Sequence, residues 1–320
     1  MTAFWPIVSV VAISLLQVLA VVFGGPLLVG LMRKVRCRLE GRVGPPIHQP
    51  LLDLRKLARR ERTRPAQASW VFSAAPVVLV ATALVIAVIA PLLATDPAFG
   101  WSSDLFAVVY LLLVGSVALA LAALDTGTAF GGMGASRTMT IAALSEPALL
   151  VAVLALSVPA HSSNVPTIIT RSLNHPAWLA TPQRLLALVA FLIVIVAESG
   201  RLPVDNPGTH LELTMIHEAM VLEYAGSDLA LVKLGESMRL VILLALFADL
   251  FVPWGVATAP GAGHLALGLV SIGAKVAALG VALAVFEVAV AKLRLFRVPE
   301  LMAGAFVLAV LAVISTLVMP

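Results

Sequence analysis

Among the side chains able to do chemistry in this sequence the acids stand out, and seven of the seventeen stand close together. Residues 198–236 hold Glu198, Asp205, Glu212, Glu218, Glu223, Asp228 and Glu236, with Arg201, His210 and His217 among them. Carboxylates and imidazoles gain and lose protons, so a string of them suits proton transfer or charge sensing. Pro203 and Pro207 stop any helix arriving from before them. Gly208 to Gly226 contains no proline and reads as one helix. On such a helix Glu212 and Glu223 fall about 20° apart on one face, while His210 and His217 share another. A few ionisable residues lie instead inside apolar runs: Glu146, Asp249, Lys275 and Glu287. Charge there is costly, and such residues are functional candidates by default. Glu146 precedes Pro147, where the helix should break or bend and leave a carbonyl free to hold water. Asp249 and Lys275 read equally well as a neutralised structural pair. Glu287 can reach the membrane interface by snorkelling.

Self-sufficient catalysis finds little support. His217-Glu218 starts a zinc-protease-like string, but position 221 is Val221 rather than histidine. Gly131-Gly132-Met133-Gly134 lacks the Lys-Ser/Thr of a phosphate loop and reads as flexible, close-packed backbone. Cys37 is the single cysteine, so this chain can make no intrachain disulfide and no cysteine-ligated cluster of its own. The acids suggest a conduit, running from Glu212, Glu218 and Glu223 toward Glu198 and Glu146.

The elements that must position these residues are membrane helices. Hydrophobic side chains make up 61% of 320 residues and charged ones 12%, against about 25% in soluble domains. That excludes a soluble enzyme, a disordered chain and a nucleic-acid binder. The expected architecture is an all-α polytopic membrane protein forming a single domain over residues 1–320. Apolar runs at 5–32, 70–94, 104–124, 138–159, 183–199, 237–258, 264–291 and 300–319 give eight candidate spans. The segment 33–66 carries eleven basic residues and should be cytoplasmic, which puts both termini outside. Alternating spans then place eighteen of the twenty-one Lys and Arg inside, including Arg137, Lys233, Arg239, Lys292, Arg294 and Arg297. Arg171 and Arg184 fall outside, and Lys275 falls within a span.

Two long polar segments interrupt the spans on the cytoplasmic side, 33–66 and 198–236. Within the first, Gly41 to Pro50 is too rich in Gly and Pro to be helical. Leu51, Leu54 and Leu57 then mark an amphipathic interfacial helix.

These loops resemble those of a known family. Gly41-Arg42-x-Gly44-Pro45 with Gln49-Pro50-Leu51-x-Asp53-x-x-Lys56, and Glu198-x-x-Arg201-x-Pro203-x-Asp205-x-Pro207 with Glu212, Glu223-Tyr224 and Gly226, are similar to loops of the membrane-embedded H subunit family of complex I. Arg294 to Glu300 resembles the basic segment before that family's last span. The run Leu211 to Met220 is similar to the energy-converting NiFe-hydrogenase branch, in the manner of formate hydrogenlyase subunit 4. The resemblance implies a non-catalytic subunit that carries no cofactor. It would anchor a peripheral redox arm through the loops 33–66 and 200–236 and couple electron transfer to proton or ion movement.

The implied partners are hydrogenase large and small subunits, which would hold the NiFe centre and Fe-S clusters. Antiporter-like membrane subunits would lie beside it in the bilayer. Arg42, Arg201, Asp205, His210 and His217 would shape the docking surface. Glu218, with Glu212 and Glu223, would pass charge to Glu198 and Glu146, and Arg137 would lie beside that path. Arg201, three residues from Glu198, is also placed to pair with it. The rival expectations are the quinone-site subunit of a complex I-like dehydrogenase, an independent ion transporter, and a passive anchor.

Overall fold

The structure, a computed structural model, describes residues 4–95, 102–205, 215–257, 262–291, 293 and 297–318. His210, Glu212, Lys292 and Arg294 lie outside the described residues.

Each expected span coincides with a helix. In chain order these are α1 (Phe4–Leu39), α3 (Trp70–Ile89), α4 (Leu105–Asp125), α5 (Ala129–Ala160), α7 (Pro182–Glu198), α9 (Gly226–Phe251), α10 (Ala262–Ala289) and α11 (Val298–Val318). Shorter helices α2 (Gln49–Ala58), α6 (Val165–Asn174) and α8 (His217–Val221) lie in the connections. Among the described residues there is no strand, only isolated bridges such as Ala94 with Ala257.

Among the described residues six helices are long and apolar enough to cross a membrane: α1, α3, α4, α5, α10 and α11. The chain is therefore a multi-pass membrane protein. α7 has 17 residues, and α9 carries Asp228, Lys233, Glu236, Arg239 and Asp249.

The helices sort into a buried centre and a lipid-facing rim. Every residue of α9 from Leu240 to Phe251 is buried, as befits a helix enclosed on all sides. α1, α3, α7 and α10 pack around it, and α11 packs on α5 and α7. On α1 the exposed residues Val11, Leu15, Leu19, Phe23 and Leu27 recur every fourth position, which makes one continuous apolar stripe suited to acyl chains. At about 54 Å, α1 outruns a hydrocarbon core of about 30 Å, and its last turns carry Arg36 and Arg38.

The loop ends are pinned by caps. Asp125, at the end of α4, accepts from the backbone N–H groups of Ser69 (2.7 Å) and Phe72 (3.3 Å) and so satisfies the free donors at the start of α3. At the opposite end of the bundle Asp104 accepts from the Phe106 N–H at 2.8 Å and the Ser163 hydroxyl at 2.6 Å. There Gln17 also donates to the Ala87 carbonyl at 2.6 Å, tying α1 to the end of α3.

Three sequence expectations need correction. Residues 208–226 do not form one helix: within the described part only α8 is helical, and a turn follows at Leu222 and Glu223. Gly226 has φ +57°, a left-handed value that separates α9 from what precedes it. Pro147 does not break its helix, since α5 continues to Ala160. Its missing N–H simply leaves the Ala143 carbonyl without the usual partner. Third, Gly131 and Gly134 are not flexible backbone but the opening turns of α5, packed against Ala123 and Ala219.

Candidate functional site: a charged cavity between the loops and α9

A cavity of about 580 Å³ lies at the loop end of the bundle. Its walls come from α1, α2, α3, α4, α5, α7, α8, α9 and α10. Leu54, Leu57, Leu79 and Leu119 give it an apolar side, while Glu198, Arg239, Glu218 and Lys233 supply much of the polar one.

Its deep end is a charge pair built from three helices. Glu198, the last residue of α7, accepts from Arg239 on α9 at 3.1 Å and from Ser145 on α5 at 2.7 Å. The same Arg239 nitrogen donates to Ser116 on α4 at 2.8 Å. Both members are nearly buried, so the guanidinium is the counter-charge that offsets the burial of the Glu198 carboxyl in an apolar setting. Glu146 stands next to Ser145 in sequence and feels the charges of Glu198 and Arg239 through space. It is half-buried and does not line the cavity, and no described residue gives it a hydrogen bond or ion pair.

Nearer the loops, Glu218 accepts from Lys233 at 2.7 Å, and Lys233 also reaches Glu236 at 3.4 Å. Arg201 pairs with Glu287 of α10 at 2.7 Å. Two expectations are thereby corrected. Arg201 does not pair with Glu198 three residues back, and Glu287 is a buried partner rather than a snorkelling side chain. Asp205 is buried and accepts from the backbone N–H groups of Ile216 (3.2 Å) and His217 (3.1 Å), which fixes the start of α8. His217 Nδ1 lies 3.7 Å from the same carboxylate oxygen. Gly200, at φ +58°, leaves room for that imidazole; a Cβ there would sit 2.5 Å from Nδ1.

The remaining candidates are scattered. Arg137 lies on α5 and donates to the Met215 carbonyl at 3.0 Å, holding the chain just before α8. Glu223 is exposed in the turn after α8 and does not line the cavity. Arg42 is exposed and pairs with Glu40, which Arg36 also contacts at 3.0 Å. Those two guanidinium groups hold the Glu40 carboxyl below its ordinary range. Asp249 and Lys275 do pair, at 3.5 Å, but at the far end of the bundle.

The loop wall itself is stapled by Tyr224, stacked on Phe72 with ring centroids 4.1 Å apart and donating to the Phe72 carbonyl at 2.8 Å. Burial, with Asp228 and Asp125 nearby, pushes its hydroxyl pKa up and keeps it a donor. Arg62 reaches across to Asp228 at 3.0 Å.

Arg239, Ser145 and Ser116 went unnoticed as site residues in the sequence. Arg239 counted there only as one of many basic residues on one side; its place inside α9, among apolar residues, is the signal that marks it. Among the described residues no group of His, Cys, Asp and Glu could hold a metal ion.

A family model described as NADH dehydrogenase matches residues 11–319. The chain belongs to that family. It is 33% identical to formate hydrogenlyase subunit 4 of Escherichia coli K12 over 303 residues, 95% of this chain and 97% of that one. Hydrogenase-4 component C of the same organism is 35% identical over 245 residues, covering 77% of this chain and 76% of the relative. The H subunit of the NADH-quinone oxidoreductase of Syntrophotalea carbinolica is 29% identical over 235 residues, covering 68% and 69%. Among solved structures, a chain of the membrane-bound sulfane sulfur reductase, an archaeal respiratory membrane complex, superposes with TM-score 0.82 at 20% identity, covering 95% of this chain and 98% of that one. That likeness establishes the shared fold. As a member of the NADH dehydrogenase family, the chain is a membrane subunit of a respiratory type of complex.

Proposed function

We propose that this chain anchors a NiFe-hydrogenase arm of the formate hydrogenlyase type and couples its electron transfer to proton movement. The carrying observation is the cavity, which brings Glu218, Lys233 and Glu236 near the loops into one space with Glu198 and Arg239 on the membrane helices. A change of charge at the loops acts there on a buried pair whose charges Glu146 also feels, without a direct ion pair of its own among the described residues. The two hydrogenase relatives support the choice of branch.

In this reading all eight long helices cross the cell membrane, with the basic loop end cytoplasmic and both termini outside. Segments 33–66 and 200–236 receive the hydrogenase large and small subunits, which hold the NiFe centre and Fe-S clusters. Antiporter-like subunits adjoin the chain in the bilayer. The catalysis belongs to the partners, and this chain works through its carboxylates.

A second reading draws on the apolar wall formed by Leu54, Leu57, Leu79 and Leu119, and on the NADH-quinone oxidoreductase relatives. A quinone-site subunit would place an apolar ring against that wall. Purification of the tagged chain in mild detergent, with mass spectrometry and nickel and iron assays, separates the two. Nickel with a hydrogenase-type large subunit supports the proposal. Iron with quinone and no nickel favours the second reading, and a chain that purifies alone contradicts both.

A further inference from the structure

We propose that Asp249 and Lys275 form a separate proton-exchange site at the end of the bundle opposite the cavity. The inference rests on the reading that the chain moves protons, and it adds a place where they are exchanged on the far side. Neither residue lines the cavity, so the pair belongs to no site described above.

The geometry is that of a loosely held pair. Asp249 lies on α9, two residues before its end, and is 1% exposed. Its Oδ1 is 3.5 Å from Lys275 Nζ, and its buried Oδ2 has no hydrogen-bond partner among the described residues. A buried ion pair that serves stability alone needs close contacts and satisfied lone pairs to offset desolvation. Here the contact is long and one oxygen is unmet, so the ionised and protonated forms of the carboxyl lie closer in energy than in a tight pair.

Among the described residues no other charge competes. α1 has no ionisable residue before Arg33, and α3 has none at all. Arg184 on α7 donates to the Ser172 hydroxyl at 2.9 Å and to the Leu250 carbonyl. Arg171 on α6 donates to the Ala160 carbonyl. His264 is exposed near the start of α10. α2 meets α9 at the other end of the bundle. Among the described residues Lys275 alone therefore answers Asp249.

The balance is simple. When the carboxylate takes a proton, an O–H bond forms and the ammonium keeps its three protons but loses its partner. When the acid releases that proton, the pair re-forms. A route to the surface is short: Ser271 sits one helical turn before Lys275, about 6 Å along α10, and its hydroxyl lies 3.4 Å from the Trp254 carbonyl. Trp254 is 57% exposed.

Infrared difference spectra of the membrane-embedded complex, taken between acid and alkaline buffer, read the site directly. A protonated-carboxyl carbonyl band should grow as pH falls, lose the Asp249 component in Asp249→Asn, and keep that component to higher pH in Lys275→Met. Coincident wild-type and Asp249→Asn spectra would overturn the proposal. The double variant Asp249→Asn/Lys275→Met removes both charges and leaves none unpaired. It should assemble, transfer electrons and lose proton movement. Normal proton movement, or failure of the double variant to assemble, would assign the pair a structural role and overturn the site. Glu146→Gln in the same assay keeps the two ideas apart. Blocked movement there with a normal double variant refutes the outer site alone, whereas normal movement in Glu146→Gln refutes the path at the loop end.

Discussion

Arg239 decides how the buried acids behave, because one guanidinium bridges Glu198 and Ser116 between three helices. Removing it by Arg239→Met leaves the nearly buried Glu198 carboxyl with a single hydroxyl donor and no counter-charge. Such a loss costs about 3–5 kcal/mol for a buried pair, so the variant should show a clear fall in thermal midpoint or in assembled yield. Adding Glu198→Gln should recover much of that yield, while a double variant no better than the single one would contradict the pairing. Arg201→Ala is expected to act similarly by stranding Glu287, and Glu287→Gln should relieve it. The acids themselves were legible in the sequence, since charge in an apolar chain is conspicuous. Their partners were not. Arg201 passes over Glu198, three residues away, for Glu287, 86 residues away, because helix packing rather than sequence spacing sets who meets whom.

At the scale of elements, the segment between α7 and α9 shows where a pattern misleads. Lack of proline over 208–226 suggested continuous helix, yet Asp205 caps α8 at His217 and a turn ends it within five residues. Gly226 then needs a left-handed backbone, and any Cβ there would overlap the Glu61 carbonyl. Gly226→Ala should thus cost more than the usual left-handed strain of about 1–2 kcal/mol and loosen the wall formed by residues 60–62 and 224–228. Limited proteolysis of the assembled protein would show it as faster cleavage in those segments, and an unchanged pattern would count against the contact. Tyr224→Phe keeps the stack on Phe72 and loses only the hydroxyl bond, so it should cost about 1 kcal/mol in a thermal-unfolding comparison. The long helices, by contrast, were readable from the apolar runs, although their ends were not: run 237–258 falls on Gly226–Phe251 and run 138–159 on Ala129–Ala160. Apolar runs of bilayer length tolerate no other element, because the backbone must satisfy itself internally.

For the whole molecule, the sequence pattern led to a bundle with one polar end, and the structure adds the cavity that no periodicity could show. Its walls come from nine helices spread between Pro26 and Glu287. The proposed orientation makes a prediction of its own. With Cys37 replaced by serine, a cysteine at Val43, which is 79% exposed, should react with an impermeant thiol reagent only from the cytoplasmic side. One at Trp254 should react only from the other side, and the reverse pattern would invert the topology.

The central claim is that charge at the loops is passed through Glu198 to Glu146 and so to a proton. Vesicles carrying the assembled complex with Glu146→Gln test it most directly, by recording electron transfer and proton movement together. The account predicts assembly and electron transfer close to wild type with proton movement lost. Proton movement per electron at the wild-type level would contradict it.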